Sequence, residues 1–146
     1  MTDTVFVGPN GPVSHSSSLP ILEWHTRYLF QVINKIQREN IKSIAPKKEC
    51  VEDFNQHTHT LMKRLVWSAA CRSWFKNGKK HGPVYAIWPG GRLHYFEALS
   101  TPRYEDFDIG YRTKNRFQFF GNGYTEEEIR PDGNPVWYFD DPFCKV

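Results

Sequence analysis

The sequence has no long apolar run and no leader-like start. A membrane-spanning helix needs about 20 consecutive apolar residues, and no such run occurs among the 146 residues. A secretory signal would place a basic segment before an apolar one, and the first residues do not follow that order. We therefore expect a soluble cytoplasmic protein without a membrane contact.

Cysteine is also scarce. The three cysteines, Cys50, Cys71 and Cys144, are odd in number and far apart, so they form neither a disulfide framework nor a metal-binding spacing. His57 and His59 lie two residues apart and would not share a helix face. The sequence predicts no metal site, and its cysteine usage favours a reducing compartment.

The motifs that mark self-sufficient enzymes are missing as well. No G-x-G-x-x-G follows a strand, and neither a phosphate-binding G-x-x-x-x-G-K-[ST] loop nor a G-x-S-x-G elbow occurs. Gly121-x-Gly123 is followed by Glu126 where the dinucleotide fingerprint needs a third glycine. No local Ser, His and Asp arrangement singles out a nucleophile.

What the chain does have is one domain's length and many aromatic residues. Aromatics make up 16% of the composition, so they must supply much of the core. The net charge of +3 is small, and its densest cluster is Arg72, Lys76, Lys79 and Lys80. A solvated loop explains this cluster better than a nucleic-acid surface, which needs a concentrated stripe; a nucleotide phosphate is a third option.

The most informative stretch runs from residue 5 to residue 20. Val5–Val7 are typical of a strand end, and Gly8–Pro12 of a turn broken by glycine and proline. Ser17 or Ser18 can cap a following helix that has Pro20 in its first turn. Strand, turn and helix N-terminus would together present N–H groups to an anionic or electron-rich ligand, although a plain connection fits the same spacing.

The remaining pattern predicts a mainly α fold with a few short strands, of the α+β class. One helix should run from Ile21 to a stop at Asn40, followed by a break at residues 44–46. The other expected elements are a helix from Pro46 to about Trp74, a strand within 82–91, a helical turn packed through Leu93, Phe96 and Leu99, an extended segment at 116–120 and a surface tail through residues 137–139.

Three short motifs in a fixed order carry a resemblance to a known family. They are Gly8-Pro9-Asn10-Gly11-Pro12, then Arg72-Ser73-Trp74, then Trp88-Pro89-Gly90-Gly91. Over most of residues 4–125 the chain resembles the C-terminal portion of Baeyer–Villiger-type flavin-containing monooxygenases, especially the fungal secondary-metabolism branch. In that family two dinucleotide folds precede this portion. The resemblance thus implies a single domain or fragment lacking those folds, with a flavin-side segment (1–45), a cofactor-facing segment (46–100) and a C-terminal cap and tail (101–146).

The resemblance also implies roles for individual residues. Gly8, Pro9, Asn10 and the helix opening at Leu19 would lie near the flavin of FAD. Val13, Ser14 and His15 would line the substrate side. Ser73 and Trp74 would contact the nicotinamide half of NADP, with Arg72 and Lys76 near its phosphate or ribose. The implied reaction is the insertion of oxygen into a ketone of a secondary metabolite, with the chemistry supplied by the cofactors.

The chain alone is not expected to be redox-competent, because the dinucleotide fingerprints and the family's upstream arginine are absent. One alternative is a cofactor-free isomerase, cyclase or hydrolase acting on a polyketide or terpenoid intermediate, with His15 and His94 as catalytic groups beside Glu97 and several aromatics. Another is a non-catalytic partner of a full-length monooxygenase, bound through Ile21, Leu29, Val32 and Ile36. A complementary flavoprotein chain or a second copy of this chain is a possible partner under each of these hypotheses.

Overall fold

The fold is α+β, as the sequence predicts, with helices around one small sheet. The computed structural model describes residues 8–13 and 17–139; the predicted strand Val5–Val7 lies outside them. The regular elements are α1 (Ser18–Arg38), β1 (Ile41–Pro46), α2 (Lys48–Met62), α3 (Arg92–Ala98), β2 (Phe107–Tyr111) and α4 (Glu126–Ile129). Single turns of 3-10 helix occur at Val66–Ser68, Trp74–Lys76, Tyr104–Asp106, Gln118–Phe120 and Trp137–Phe139. No helix in these ranges has the length and apolarity to cross a membrane.

Helix α1 has the start and stop that the sequence predicts. The Ser17 hydroxyl accepts a hydrogen bond from the Leu19 N–H at 3.4 Å, which satisfies one orphan donor of the first turn. Lys35 and Arg38 lie in the last turn, where cations favour the helix dipole. Asn40 takes a left-handed conformation with φ of 52°, and this ends the helix.

The sheet is the element that the sequence pattern missed. Residues 44–46 were expected to break the chain, yet they belong to β1, which pairs antiparallel with β2 so that Ile44 faces Ile109. The register shifts between Ile41 and Ser43, and Pro46 closes the strand at its end, where a missing N–H is tolerated. The strand also runs across the segment boundary set at residue 45.

Helix α2 is shorter than predicted. It ends at Met62 instead of continuing to Trp74, because the Ser68 hydroxyl donates to the Met62 carbonyl at 2.6 Å and the chain folds back into a 3-10 turn. The expected stop at Asn77 is present, since Asn77 adopts φ of 56°, but it ends the 3-10 turn that begins at Trp74.

Two expected extended segments are also absent from the described part of the chain. Within 82–91 the structure has one isolated parallel bridge, between Gly11 and Ile87, and no strand. At 116–120 a 3-10 turn forms, because the Asn115 side chain accepts a hydrogen bond from the Phe117 N–H at 3.0 Å and initiates a turn.

The core consists of two small clusters that meet at Ile87 and Trp88. One contains Ile21, Trp88 and Tyr95, and the other contains Met62, Val84 and Ile87. Helix α3 forms as predicted and packs Phe96 and Leu99 against the first cluster, but its buried residue is Tyr95, and Leu93 is 76% exposed. The segment 84–88 therefore ties α1, α2 and α3 together.

Candidate functional site

The glycine–proline loop, residues 8–13, is fastened to the segment 84–88. The Asn10 N–H donates to the Tyr85 carbonyl at 2.7 Å, and the Trp88 N–H donates to the Gly11 carbonyl at 2.9 Å. Asn10 adopts φ of 57°, so an asparagine and not a loop glycine takes the left-handed position. The Asn10 amide also donates to the Thr58 hydroxyl at 3.5 Å. The middle of this loop is thus packed against the interior.

The two ends of the same loop border an open cleft of about 440 Å³. Its lining is Gly8, Pro9, Val13, Trp74, Phe75, Asn77, Tyr85 and Ala86. Two motifs that are about 60 residues apart in the sequence, the glycine–proline loop and the Ser-Trp segment, therefore meet at one cleft. The cleft has the size of a typical small-molecule site and is mostly apolar.

The predicted site residues divide into three groups. Gly8, Pro9, Val13 and Trp74 line the cleft. Asn10 lies buried behind its wall, Arg72 is exposed outside the lining, and Leu19 is 70% exposed. Ser14 and His15 lie outside the described residues.

Ser73 has an unusual environment beside the cleft. Its hydroxyl oxygen is buried and has no hydrogen-bond partner among the described residues. Leaving a polar atom buried and unpaired costs about 1–3 kcal/mol. Its neighbour Trp74 is 67% exposed, and this indole faces open space where an aromatic ring could stack.

Four lining residues were missed by the sequence analysis: Phe75, Asn77, Tyr85 and Ala86. Phe75 and Asn77 follow Trp74 within three residues, so their position next to the Ser-Trp motif could have predicted that they line the same site. Tyr85, and with it Ala86, is held at the cleft by two backbone hydrogen bonds: the Tyr85 N–H donates to the Phe75 carbonyl at 2.9 Å, and the Tyr85 carbonyl accepts from the Asn10 N–H at 2.7 Å. No local pattern encodes that pairing.

Lys76 corrects the expectation that it would serve a cofactor phosphate. Its side chain is buried, with 1% exposure, and its ammonium donates to the carbonyls of Ala69, Cys71 and Lys80. All three donor positions of the ammonium are thereby used inside the chain. Lys76 holds the turn below the cleft together and has no contact to offer a ligand.

The segment that supplies most of the cleft lining contains no acidic residue. Residues 54–96 contain no aspartate or glutamate, while seven basic residues occur in the same range: Lys63, Arg64, Arg72, Lys76, Lys79, Lys80 and Arg92. The whole chain has a charge of only +3, so the rest of it is net negative. The net positive charge of this segment, which supplies five of the eight lining residues, would favour a phosphate-bearing ligand.

His94 does not join the cleft lining. Its Nδ1 accepts a hydrogen bond from the Trp88 indole N–H at 3.2 Å, and Gly90 lies close by, since a Cβ at Gly90 would come within 2.7 Å of that nitrogen. Glu97 is exposed on α3. Within residues 8–13 and 17–139 no group of three or more His, Cys, Asp or Glu side chains could hold a metal ion.

Comparison with known proteins gives consistent relatives over almost the whole chain. The sequence is 39% identical to a probable FAD-binding monooxygenase, ltbD, of Aspergillus luteorubrus, with 92% of this chain and 27% of that protein covered. It is 42% identical to the FAD-binding monooxygenase stcW of Emericella nidulans, with 91% and 24% covered. A Baeyer-Villiger monooxygenase of Pseudomonas aeruginosa is 27% identical over 58% of this chain.

No protein-family model and no solved structure matches the chain. The chain spans about a quarter of the length of the two fungal relatives, as a C-terminal portion would. The chain aligns with these fungal relatives over about nine-tenths of its length, at 39% and 42% identity, and it therefore belongs, as a portion, to the family of fungal FAD-binding monooxygenases.

Proposed function

We propose that this chain is the part of an FAD- and NADPH-dependent Baeyer–Villiger monooxygenase that covers the flavin on the substrate side, and that it performs no redox chemistry by itself. The observation that carries the proposal is the meeting of the glycine–proline loop with Trp74 at one cleft. The absence of acidic residues from 54–96, which supply most of the cleft lining, supports an anionic dinucleotide as the ligand.

The residues present fit a cofactor ring. The cleft volume of about 440 Å³ accommodates a flavin or nicotinamide ring but not a whole dinucleotide. Trp74 offers an exposed indole for stacking, and the Ser73 hydroxyl beside it is a hydrogen-bonding group that lacks a partner among the described residues. The pyrophosphate would have to be held by the part of the relatives that this chain does not cover.

Each residue then has a limited task. Bound FAD, reduced by NADPH, would supply the oxygen-transfer chemistry. Gly8 and Pro9 would approach the ring closely with backbone alone, Val13 and Tyr85 would exclude water from the substrate side, and Trp74 would orient the nicotinamide. Ordering these groups before the ligand arrives, as the bonds of Asn10 and Gly11 do, lowers the entropy cost of binding.

A chimera tests the proposal. This chain would replace the matching quarter of the Emericella nidulans relative, and the purified chimera would be assayed for flavin absorbance and for ketone-dependent NADPH oxidation. We expect about one flavin per chain and an activity that falls at least about fivefold in Trp74→Ala, because stacking on an aromatic contributes about 1–3 kcal/mol.

Trp137→Ala is the matched control, since Trp137 is 49% exposed and lies outside the cleft lining. A folded chimera that retains no flavin would contradict the proposal. Tight stoichiometric binding of FAD by the isolated chain would contradict the proposal that the chain does not function alone, because the chain would then not need the rest of the relative to hold the cofactor.

A further inference from the structure

Helix α1 carries two apolar faces, and among residues 8–13 and 17–139 only one of them is packed against other parts of the fold. On the first face Ile21 is buried in the core, Trp24 stacks on Phe96 with ring centroids 5.2 Å apart, and Tyr104 donates its hydroxyl to the Gln31 carbonyl at 3.2 Å. Burial of Ile21 also corrects the expected partner stripe, because that residue already packs inside the chain.

The second face consists of exposed apolar residues spaced at three or four positions. Leu19 is 70% exposed, Leu22 39%, Phe30 59% and Ile33 44%. Thr26 completes the row, and its hydroxyl donates to the Leu22 carbonyl at 2.8 Å, so its polar group is satisfied within the helix. We call these five residues the α1 stripe; at 1.5 Å per residue it is about 21 Å long.

A helix on the surface of a finished domain shows one apolar face, whereas a helix that is apolar on two sides is typical of the interior of a larger body. The described residues include seven buried large hydrophobics and nineteen exposed ones, so the core is small for the apolar content. Scattered exposed apolar residues need no explanation, but a continuous row on one helix marks a contact surface.

We propose that the α1 stripe docks against the flavin-binding part of the fungal monooxygenases, the part of their length that this chain does not match. Two observations select this occupant. The relatives are about four times as long as the matched portion, so they contain a partner body for it. The stripe also begins at Leu19, two residues after the capping Ser17 and six after Val13 of the cleft, so one stretch of chain supplies part of the cleft wall and the start of the stripe.

This inference rests on the proposed function but locates the contact outside the lining of the cleft. Its test is Phe30→Glu, which places a charge in the centre of the stripe. Leu93→Glu is the matched control, since Leu93 is 76% exposed on α3, a different helix. Glutamate is a good helix former, and we expect both isolated variants to unfold at the wild-type temperature.

The first measurement is the affinity of this chain for the remaining three quarters of the Emericella nidulans relative, produced as a separate polypeptide. We expect Phe30→Glu to weaken binding at least about tenfold and Leu93→Glu to stay within about twofold, as for a buried anchor against a rim position. The second measurement is the flavin content and thermal midpoint of the chimera described above, which should fall in Phe30→Glu alone.

A chimera in which Phe30→Glu retains wild-type flavin content and stability would overturn the docking face while leaving the proposed function intact. A wild-type chimera without flavin would contradict the proposed function. If the separate chain still bound the relative's portion in a Phe30-sensitive way, the docking face would stand. Sedimentation of the isolated chain tests whether a second copy of the chain covers the stripe instead. A homodimer that Phe30→Glu dissociates, with no binding to the relative's portion, would also overturn the inference.

Discussion

The Asn10 N–H donates to the Tyr85 carbonyl at 2.7 Å, and this bond fastens one wall of the cleft to the segment that supplies the other. Asn10 is buried and adopts φ of 57°, and its amide donates to the Thr58 hydroxyl. Its backbone conformation and its side chain therefore both hold the loop in place. The geometry of the candidate site therefore depends on a residue that does not itself line the cleft.

Replacing Asn10 by alanine should destabilise the chain by about 1–2 kcal/mol, because alanine tolerates the left-handed region poorly and lacks the amide donor. Asn10→Gly keeps the conformation and loses only the side chain, so it should cost less. Urea unfolding of both variants checks this. An alanine variant as stable as the glycine variant would mean that the turn relaxes to another conformation.

Lys76→Met should cost about 2–4 kcal/mol, although methionine fills a similar volume. The carbonyls of Ala69, Cys71 and Lys80 would lose a charged donor, and hydrogen bonds to charged groups contribute about 1.5–3 kcal/mol. Lys79→Met, at an exposed position of the same segment, should change the free energy of unfolding by less than about 0.5 kcal/mol. Equal effects in urea unfolding would show that the buried ammonium contributes nothing particular.

Ser73→Ala separates a ligand role from a structural one. Its hydroxyl is buried with no partner in the described structure, so removing it should raise the free energy of unfolding by about 1 kcal/mol. Ser68→Ala is the control, because the Ser68 hydroxyl donates to Met62 and its loss should cost about 1 kcal/mol. In the chimera, Ser73→Ala should weaken cofactor binding and Ser68→Ala should not. The reverse order would assign Ser73 to folding.

The sequence predicted those features that short-range signals encode. Helix α1 was predictable from the Ser17 cap, the spacing of its apolar residues and the stop at Asn40. Helix α3 was predictable from the proline and glycines before it and from its apolar residues three positions apart. The family resemblance, not a local signal, named Gly8, Pro9, Val13 and Trp74; they line one cleft, and their role as site residues stays a prediction.

The features that depend on pairing between distant segments were not predictable. Strand β1 exists because Phe107–Tyr111 lies beside it, and neither strand alternates cleanly enough to be read alone. Tyr85 lines the cleft through a backbone bond to Phe75, and Lys76 is buried because three carbonyls converge on it. Long-range geometry of this kind leaves no periodic trace in the sequence.

Tyr95 should give the chain a characteristic loss of stability in alkali. Burial raises the pKa of Tyr95 to about 12, from an ordinary value near 10. Below about pH 10 both folded and unfolded chains keep the phenolic proton, and between about pH 10 and 12 the unfolded chain releases it first, so stability falls as the pH rises. Tyr95→Phe has no proton to release and should remove that part of the alkaline slope.

His25, which contacts Tyr95, should make the free energy of unfolding fall in acid. The His25 imidazole is hydrogen-bonded to the Tyr95 hydroxyl, and burial lowers the pKa of His25. The unfolded chain therefore takes up a proton first as the pH falls below about 6.5, and stability is lost toward acid through the lowered folded-state pKa. Urea unfolding from pH 5 to 8 should show this slope in wild type and not in His25→Asn. A variant that keeps the wild-type acid slope would place the responsible group elsewhere in the chain.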